Sequence, residues 1–450
     1  MAKQSFDLPM LNDRLDGNRD AAIVLKAITP DDPSERFDDV DPFGEIIALA
    51  DTANLTVVGT VSQRRSKPHA TSYVGSGKLE EVKALAESLD VELIIADDPL
   101  TPGQGRNVEA RTGLRLIDRA ELIMDIFARN ARTHQAKIQV ELAQLRYSQT
   151  RLKRMWTHLS RMEGGQVGTR GPGETQLESD RRIIRHKINK LKKNLVEIAR
   201  QVETQHKSRS NAYCIALVGY TNAGKSTLLQ KLTGADVLIE DRLFSTLDTS
   251  TRKWELESSH DILLSDTVGF IRKLPHALVA SFHATLMEAQ EADLLLHIVD
   301  GSSPHVEDDV ETVMETLERI GCADKRRLLV FNKSDRIPDE RRIDLQYLLA
   351  ENDDSFIISA SEEMGIYGEG SLSERIHQII IEEEQEVEYR LPHARSDLVA
   401  LLRRIGVVLE EKYDEEGVQL KVQLTSRERA RFEANLIEAG VEVGLGGKEV

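Results

Sequence analysis

The feature that most constrains this chain is one eight-residue segment, Gly219-Tyr220-Thr221-Asn222-Ala223-Gly224-Lys225-Ser226. It runs on from the apolar stretch AYCIALV (212–218) and leads into a helical one, STLLQKL (226–232). G-x4-G-K-[ST] between a strand and a helix is the arrangement that cradles phosphate. Glycines let backbone N–H groups wrap phosphate oxygens, and the helix N-terminus adds partial positive charge. Lys225 then reaches the β- and γ-phosphates, and Ser226, followed by Thr227, is placed to ligate Mg²⁺. Strand, loop and helix of this kind form the first half of a βαβ unit, so the fold around them must be an open, doubly wound α/β sheet. A second glycine-rich tetrapeptide, GSGK at 75–78, has Ser72 where the first glycine belongs and reads as an ordinary turn.

Three further segments lie at the ends of apolar runs in the same region. Asp266-Thr267-Val268-Gly269 follows DILLS. Asp266 there can hold Mg²⁺ through a water, and Gly269 can offer its N–H to the γ-phosphate, joining Lys225 as a phosphate and transition-state contact. Asn332-Lys333-Ser334-Asp335 ends the run RLLVF. Asp335 can accept from both N1–H and the 2-amino group of guanine, whereas adenine would leave it unpaired, a mismatch that discriminates strongly. The stem of Lys333 would cover the base, and Asn332 would tie this loop to the phosphate loop. Ser359-Ala360, with Ser361 beyond, ends SFIISA, where backbone N–H groups can meet guanine O6. The ordered set specifies a GTPase that binds GTP and GDP.

Between the first two motifs lies Phe244-Ser245-Thr246-Leu247-Asp248. A threonine here is a candidate second Mg²⁺ ligand beside Ser226; we take Thr246, with Thr249 and Thr251 rivals on spacing alone. The residue after Gly269 is Phe270, where Ras-like enzymes place a water-orienting Gln. Phe offers water no hydrogen bond, so intrinsic turnover should be slow and accelerated by a partner, with the water-positioning group unassigned. Asn222 adds a candidate K⁺ contact, since a cation beside the phosphates would neutralise transition-state charge.

The rest of the 450-residue chain divides by pattern. Residues 1–19 read as a flexible tail. Residues 20–130 alternate β-rich runs (AAIVLKAI, NLTVVGTV, ELIIAD, RLID) with helical stretches near 43–52, 78–89, 103–111 and 119–129, which implies an N-terminal α/β domain with a mainly parallel sheet. Residues 131–208 read as two long helices joined by a glycine-rich tip, 163–174. The GTPase domain is 209–385. An acidic run, IEEEQE (381–386), marks a linker to a small α+β domain, 386–450, with helices near 396–412 and 426–438 and a strand VQLKVQL between them.

Charge is uneven along this organisation. The whole chain is −17, yet residues 131–210 carry 18 Lys and Arg against 7 Asp and Glu. A basic module in an acidic chain suggests a local polyanion contact, and with Arg170 at its tip the hairpin reads as an RNA-facing arm. The plainer reading is a solvated coiled-coil spacer. Two cysteines, Cys214 and Cys322, exclude a disulfide scaffold and fit a reducing cytoplasm. No apolar run approaches the length of a membrane span.

The stretch Gly164-Gly165 … Arg170-Gly171-Pro172-Gly173-Glu174-Thr175-Gln176-Leu177-Glu178-Ser179-Asp180-Arg181-Arg182 resembles the signature of the HflX family of translation GTPases. The likeness continues in DIFARNARTHQAKIQVELAQLRY (125–147), GYTNAGKST, FSTLD and DTVGFIRKLPH, and covers roughly 70–380. It implies the four-part architecture above and a cytoplasmic GTPase that binds the large ribosomal subunit; we expect a monomer. The hairpin tip would approach the peptidyl transferase region, with Arg170, Arg181 and Arg182 on RNA, and the GTP form would split ribosomes in rescue or stress. It also supports Thr246 as the Mg²⁺ ligand. The alternatives are a large-subunit assembly GTPase and a regulatory switch that recruits a protein. Two residues depart from the family pattern: Thr249 stands where proline is usual after FSTLD, and Ser334 where an aliphatic residue is common.

Overall fold

The computed structural model describes residues 20–30, 32, 41–162, 172–208, 212–235, 242–244, 246, 250–256, 261–273, 283–338, 354–415 and 417–438. The N-terminal tail, Arg170 and most of the hairpin tip, Ser245, Leu247, Asp248 and Thr249 lie outside them.

The first domain is built on β1 (Asp20–Ile28), β2 (Leu55–Arg64), β3 (Leu93–Ala96) and β4 (Arg115–Asp118), parallel and ordered β2-β1-β3-β4. Both faces are covered, which is why β1 runs apolar from Ala21 to Leu25 rather than alternating. Ala22 and Val24 face α1 (Gly44–Thr52) and α4 (Arg119–Asn130). Ile23 and Leu25 face α2 (Ser76–Leu89) and α3 (Pro102–Thr112). The GSGK segment is the start of α2, with Gly75 as its N-cap.

The hairpin is α5 (His134–Met162) and α6 (Pro172–Ser208). Ile138, Leu142 and Leu145 meet Ile184, Ile188 and Leu191, so the apolar stripe at helical spacing forms the seam. A second stripe of α5, Ala136, Val140 and Ala143, is buried in the core of the first domain. Tyr147 Oη and Arg151 both donate to Asp118, each at 2.5 Å. The hairpin is therefore keyed into the first domain along one face, which a solvated spacer would not be.

The central sheet has order β10-β9-β8-β5-β7-β6. Its strands are β5 (Ala212–Gly219), β6 (Ser250–Trp254), β7 (Asp261–Asp266), β8 (Leu294–Asp300), β9 (Arg327–Asn332) and β10 (Ser355–Ile357). All pairings are parallel except that of β6 with β7. Helices α7 (Lys225–Thr233), α8 (His283–Glu291), α9 (Val306–Arg319) and α10 (Leu372–Glu383) accompany it.

The last domain corrects two expectations. Helix α10 ends at Glu383 and β11 (Glu384–Leu391) begins at once, so the acidic run is not a linker. Its carboxylates are used instead, Glu382 pairing with Arg326 and Arg375. The helix expected over 396–412 stops at Ile405 as α11 (Ser396–Ile405), and strand β12 (Val407–Tyr413) follows. The break falls at Gly406, where β13 packs so closely that a Cβ would sit 2.3 Å from Leu424 Cδ2 and 2.9 Å from the Gln423 carbonyl oxygen. With β13 (Val418–Thr425) the sheet is antiparallel, ordered β11-β13-β12, and α12 (Ser426–Glu438) closes its core through Phe432. Among the described residues no helix is long and apolar enough to cross a membrane.

Candidate functional site

The phosphate-type loop joins β5 to α7. Gly224, the N-cap of α7, has φ 92°, and a Cβ there would lie 2.2 Å from Asn332 Nδ2. Glycine is thus required both by conformation and by the neighbour. Lys225 is 6% exposed, and its Nζ donates to the carbonyls of Tyr220 (2.8 Å) and Gly219 (3.2 Å). Burial pulls its pKa down to about 8, against the attraction of Asp266. The cleft in front, about 210 Å³, is lined by Thr221, Asn222, Gly224, Lys225, Ser226, Thr227, Phe244, Thr246, Thr267, Gly269, Asn332, Lys333, Arg336, Ala360 and Ser361. All four motif segments, with Phe244 and Thr246, therefore converge on one rim, at the C-terminal ends of the strands.

Three oxygens meet at its floor. Ser226 Oγ lies 2.7 Å from Thr246 Oγ1 and donates to Asp266 Oδ2 at 2.6 Å. Asp266 is fully buried, and its other oxygen has no hydrogen-bond partner among the described residues. Burial pushes its pKa up, while Lys225 and Ser226 pull it down. A buried carboxylate oxygen left over beside two hydroxyls is costly unless a cation balances it. The donor set is all hard oxygen and fits Mg²⁺. Thr251 is elsewhere, its hydroxyl 2.9 Å from Ser265 Oγ.

At the other end, Asn332 is 2% exposed. Its Nδ2 donates to the Ala223 carbonyl and its Oδ1 accepts from the Ala360 N–H, both at 2.9 Å. One amide thus joins three motif segments, and the Ala360 N–H, expected to face guanine O6, is engaged here by Asn332. Lys333, at φ 62°, reaches Asp300 at 2.8 Å. Asp335 Oδ1 accepts from Ser359 Oγ at 2.6 Å, which holds its carboxyl below the usual range and hence ionised. Ser334 donates its backbone N–H to Ile358.

The third wall is close-packed. A Cβ on Gly269 would lie 2.7 Å from Thr221 Cα and 3.2 Å from Lys225 Nζ. Phe270 is 2% exposed and turned into the core with Val218 and Leu295. Its N–H donates to Gly219 O (3.1 Å) and its carbonyl accepts from Thr221 N (2.8 Å). The position after Gly269 thus offers the cleft no side chain.

What the motifs did not reveal is how the first domain meets this wall. Tyr220 Oη donates to Glu45, which also pairs with the buried Arg119. Arg119 in turn donates to Asp97 at 2.6 Å, and Lys26 bridges Asp97 and Asp32. Arg272 donates its N–H to Tyr220 Oη at 2.9 Å, and Lys273 pairs with Asp98. Val268 packs into the first domain's core. Asn130 Nδ2 donates to the Phe244 carbonyl at 2.7 Å, and Phe127 meets the Phe244 ring edge-on at 4.6 Å. No local pattern marks Glu45, Arg119, Asn130 or Tyr220, because the bonds Arg119–Glu45, Asn130–Phe244 and Tyr220–Glu45 join residues 74, 114 and 175 positions apart. Arg181 and Arg182 lie on α6, away from the cleft, with Arg182 exposed.

Family comparisons agree with this layout. Residues 41–128 match a family described as GTP-binding GTPase N-terminal, 130–209 the GTP-binding GTPase middle region, and 214–333 the 50S ribosome-binding GTPase. The chain is 40% identical over 397 residues to the GTPase HflX of Caldanaerobacter subterraneus subsp. tengcongensis, covering 88% of this chain and 90% of that one. It is 39% identical over 417 residues to the GTPase HflX of Escherichia coli K12, covering 92% and 95%. A solved GTP-binding protein from Sulfolobus solfataricus in complex with GDP is 25% identical and covers 80% of this chain and 98% of that one, at a TM-score of 0.41. The relatives 39% and 40% identical over about nine-tenths of the length place the chain in the HflX family of GTPases, P-loop enzymes that hydrolyse GTP.

Proposed function

We propose that the GTP form of this protein binds the large ribosomal subunit through its basic hairpin and drives ribosomes apart. The observation that carries this reading is mechanical continuity. One stripe of the hairpin helix α5 is buried in the first domain, and that domain touches Phe244, Tyr220 and Arg272. A change at the γ-phosphate side of the cleft thus has a packed route to the arm. The exposed basic residues of α6, Arg182, Lys192, Lys193 and Arg200 among them, suit RNA phosphates. The family description of residues 214–333 as a 50S ribosome-binding GTPase points to the same partner.

In this reading Lys225 and the N–H groups of the loop hold the β- and γ-phosphates, Gly269 meets the γ-phosphate, and Asp335 pairs with guanine. Ser226, Thr246 and Asp266 would hold Mg²⁺, which would neutralise phosphate charge. With Phe270 turned into the core, the group that orders the attacking water comes from elsewhere, with the ribosome as the candidate, and a K⁺ held with help from Asn222 would neutralise transition-state charge. Sedimentation of ribosomes incubated with the protein and a non-hydrolysable GTP analogue tests the proposal. Loss of 70S with gain of free subunits supports it. Comigration only with immature large subunits would favour an assembly role, and no comigration a protein-recruiting switch.

A further inference from the structure

Phe244 has φ 58°, a left-handed conformation that a bulky side chain rarely adopts. Such strain persists only where the surroundings over-determine it, and here three contacts do so. Its N–H donates to Thr221 Oγ1 of the phosphate loop at 2.9 Å. Its carbonyl accepts from Asn130 Nδ2 at 2.7 Å. Its ring, 2% exposed, is packed edge-on against Phe127. The peptide units on either side of Phe244 are therefore fixed from two different domains. Thr246, whose hydroxyl lies 2.7 Å from Ser226 Oγ, is only two residues farther on. Two residues span at most ~7 Å, so where Phe244 is pinned decides whether the Thr246 hydroxyl can reach the Ser226–Asp266 oxygens.

We propose that Asn130, the last residue of α4, is a positioning residue for Mg²⁺-dependent GTP binding: by holding the Phe244 carbonyl it sets Thr246 beside Ser226. Asn130 touches neither nucleotide nor metal and acts only through Phe244 and Thr246. The contact should matter most with a triphosphate, because segments of this kind are ordered by γ-phosphate and Mg²⁺ and released on hydrolysis. The Thr221 hydroxyl and the Phe127 ring would remain in an Asn130 variant, so the chain should still fold while the Thr246 register loosens.

The test uses the full-length protein and a fluorescent non-hydrolysable GTP analogue, with fluorescent GDP as the comparison, each titrated with Mg²⁺. Asn130→Asp keeps the shape but cannot donate; Asn130→Ala removes the group and serves should Asn130→Asp fail to fold. Either variant should raise the Mg²⁺ concentration for half-maximal binding of the GTP analogue by about 3- to 10-fold, the effect of one lost hydrogen bond. GDP binding should stay within about twofold. An unchanged Mg²⁺ requirement would overturn the proposal. So would equal losses for the GTP analogue and GDP, which is the mark of a contact that serves only general packing.

Discussion

Replacing Asn332 by alanine should disable the nucleotide cleft although Asn332 carries no charge. The side chain is 2% exposed and makes two hydrogen bonds of 2.9 Å, to the Ala223 carbonyl and from the Ala360 N–H. Alanine leaves both backbone groups buried without a partner. Each orphan costs ~1–3 kcal/mol, so the pair is worth ~2–6 kcal/mol before water refills part of the gap. A loss of ~2–3 kcal/mol in the ordered cleft corresponds to ~30- to 150-fold weaker nucleotide binding. GTP and GDP should suffer alike, since the tie is remote from the γ-phosphate side. Asn332→Asp should do no better, because it turns the donor facing the Ala223 carbonyl into a second acceptor. Fluorescent GDP and GTP-analogue titrations provide the assay. Affinities within twofold of the parent for Asn332→Ala would refute the view that this amide holds three segments in register.

Other outcomes follow from single groups. Asp335→Asn should weaken GTP binding by ~10³-fold or more, and xanthosine triphosphate, which offers O2 in place of the 2-amino group, should then bind better than GTP; competition titration decides. Steady-state turnover should be slow alone, faster with large subunits, and faster in K⁺ than Na⁺ with the cation effect lost in Asn222→Ala; equal rates in both salts would remove the cation from the account. Burial raises the Asp309 carboxyl to about 7, with Arg272 and Ser303 pulling it back. The folded state therefore holds a proton that the unfolded chain releases near pH ~4, so stability should fall as pH rises from ~4 to ~7, by on the order of 2–4 kcal/mol. Asp309→Asn should flatten that part of the melting-temperature profile.

The nucleotide cleft was legible because its chemistry needs particular residues at particular strand ends, and DILLSD, RLLVFN and AYCIALVG announce those ends by apolar runs. The hairpin seam was legible for a similar reason: Ile184, Ile188 and Leu191 recur at helical spacing and are buried against α5. Local pattern failed where tertiary contact decides. VVLEEKY has helix-tolerant residues, and its pairing with β13, a partner later in the chain, makes it the strand β12 that follows α11 at Gly406. The acidic run looked like a solvated linker because its partners, Arg326 and Arg375, lie elsewhere in the sequence. The contacts of Glu45, Arg119 and Asn130 with the cleft segments were invisible for the same reason. α5 has two buried stripes rather than one, and the second was concealed because Ala136, Val140 and Ala143 are small.

Pelleting with purified large subunits, comparing a non-hydrolysable GTP analogue with GDP, is the most direct test of the central claim that nucleotide state governs the arm. The account predicts tight binding with the analogue, at least tenfold weaker binding with GDP, and ~10³-fold loss between 50 and 200 mM salt if about six basic groups meet phosphates. Changing Arg170, Arg181 and Arg182 to Glu should abolish pelleting and leave GTP affinity intact. Equal pelleting in both nucleotides, or unchanged pelleting of the triple variant, would contradict it.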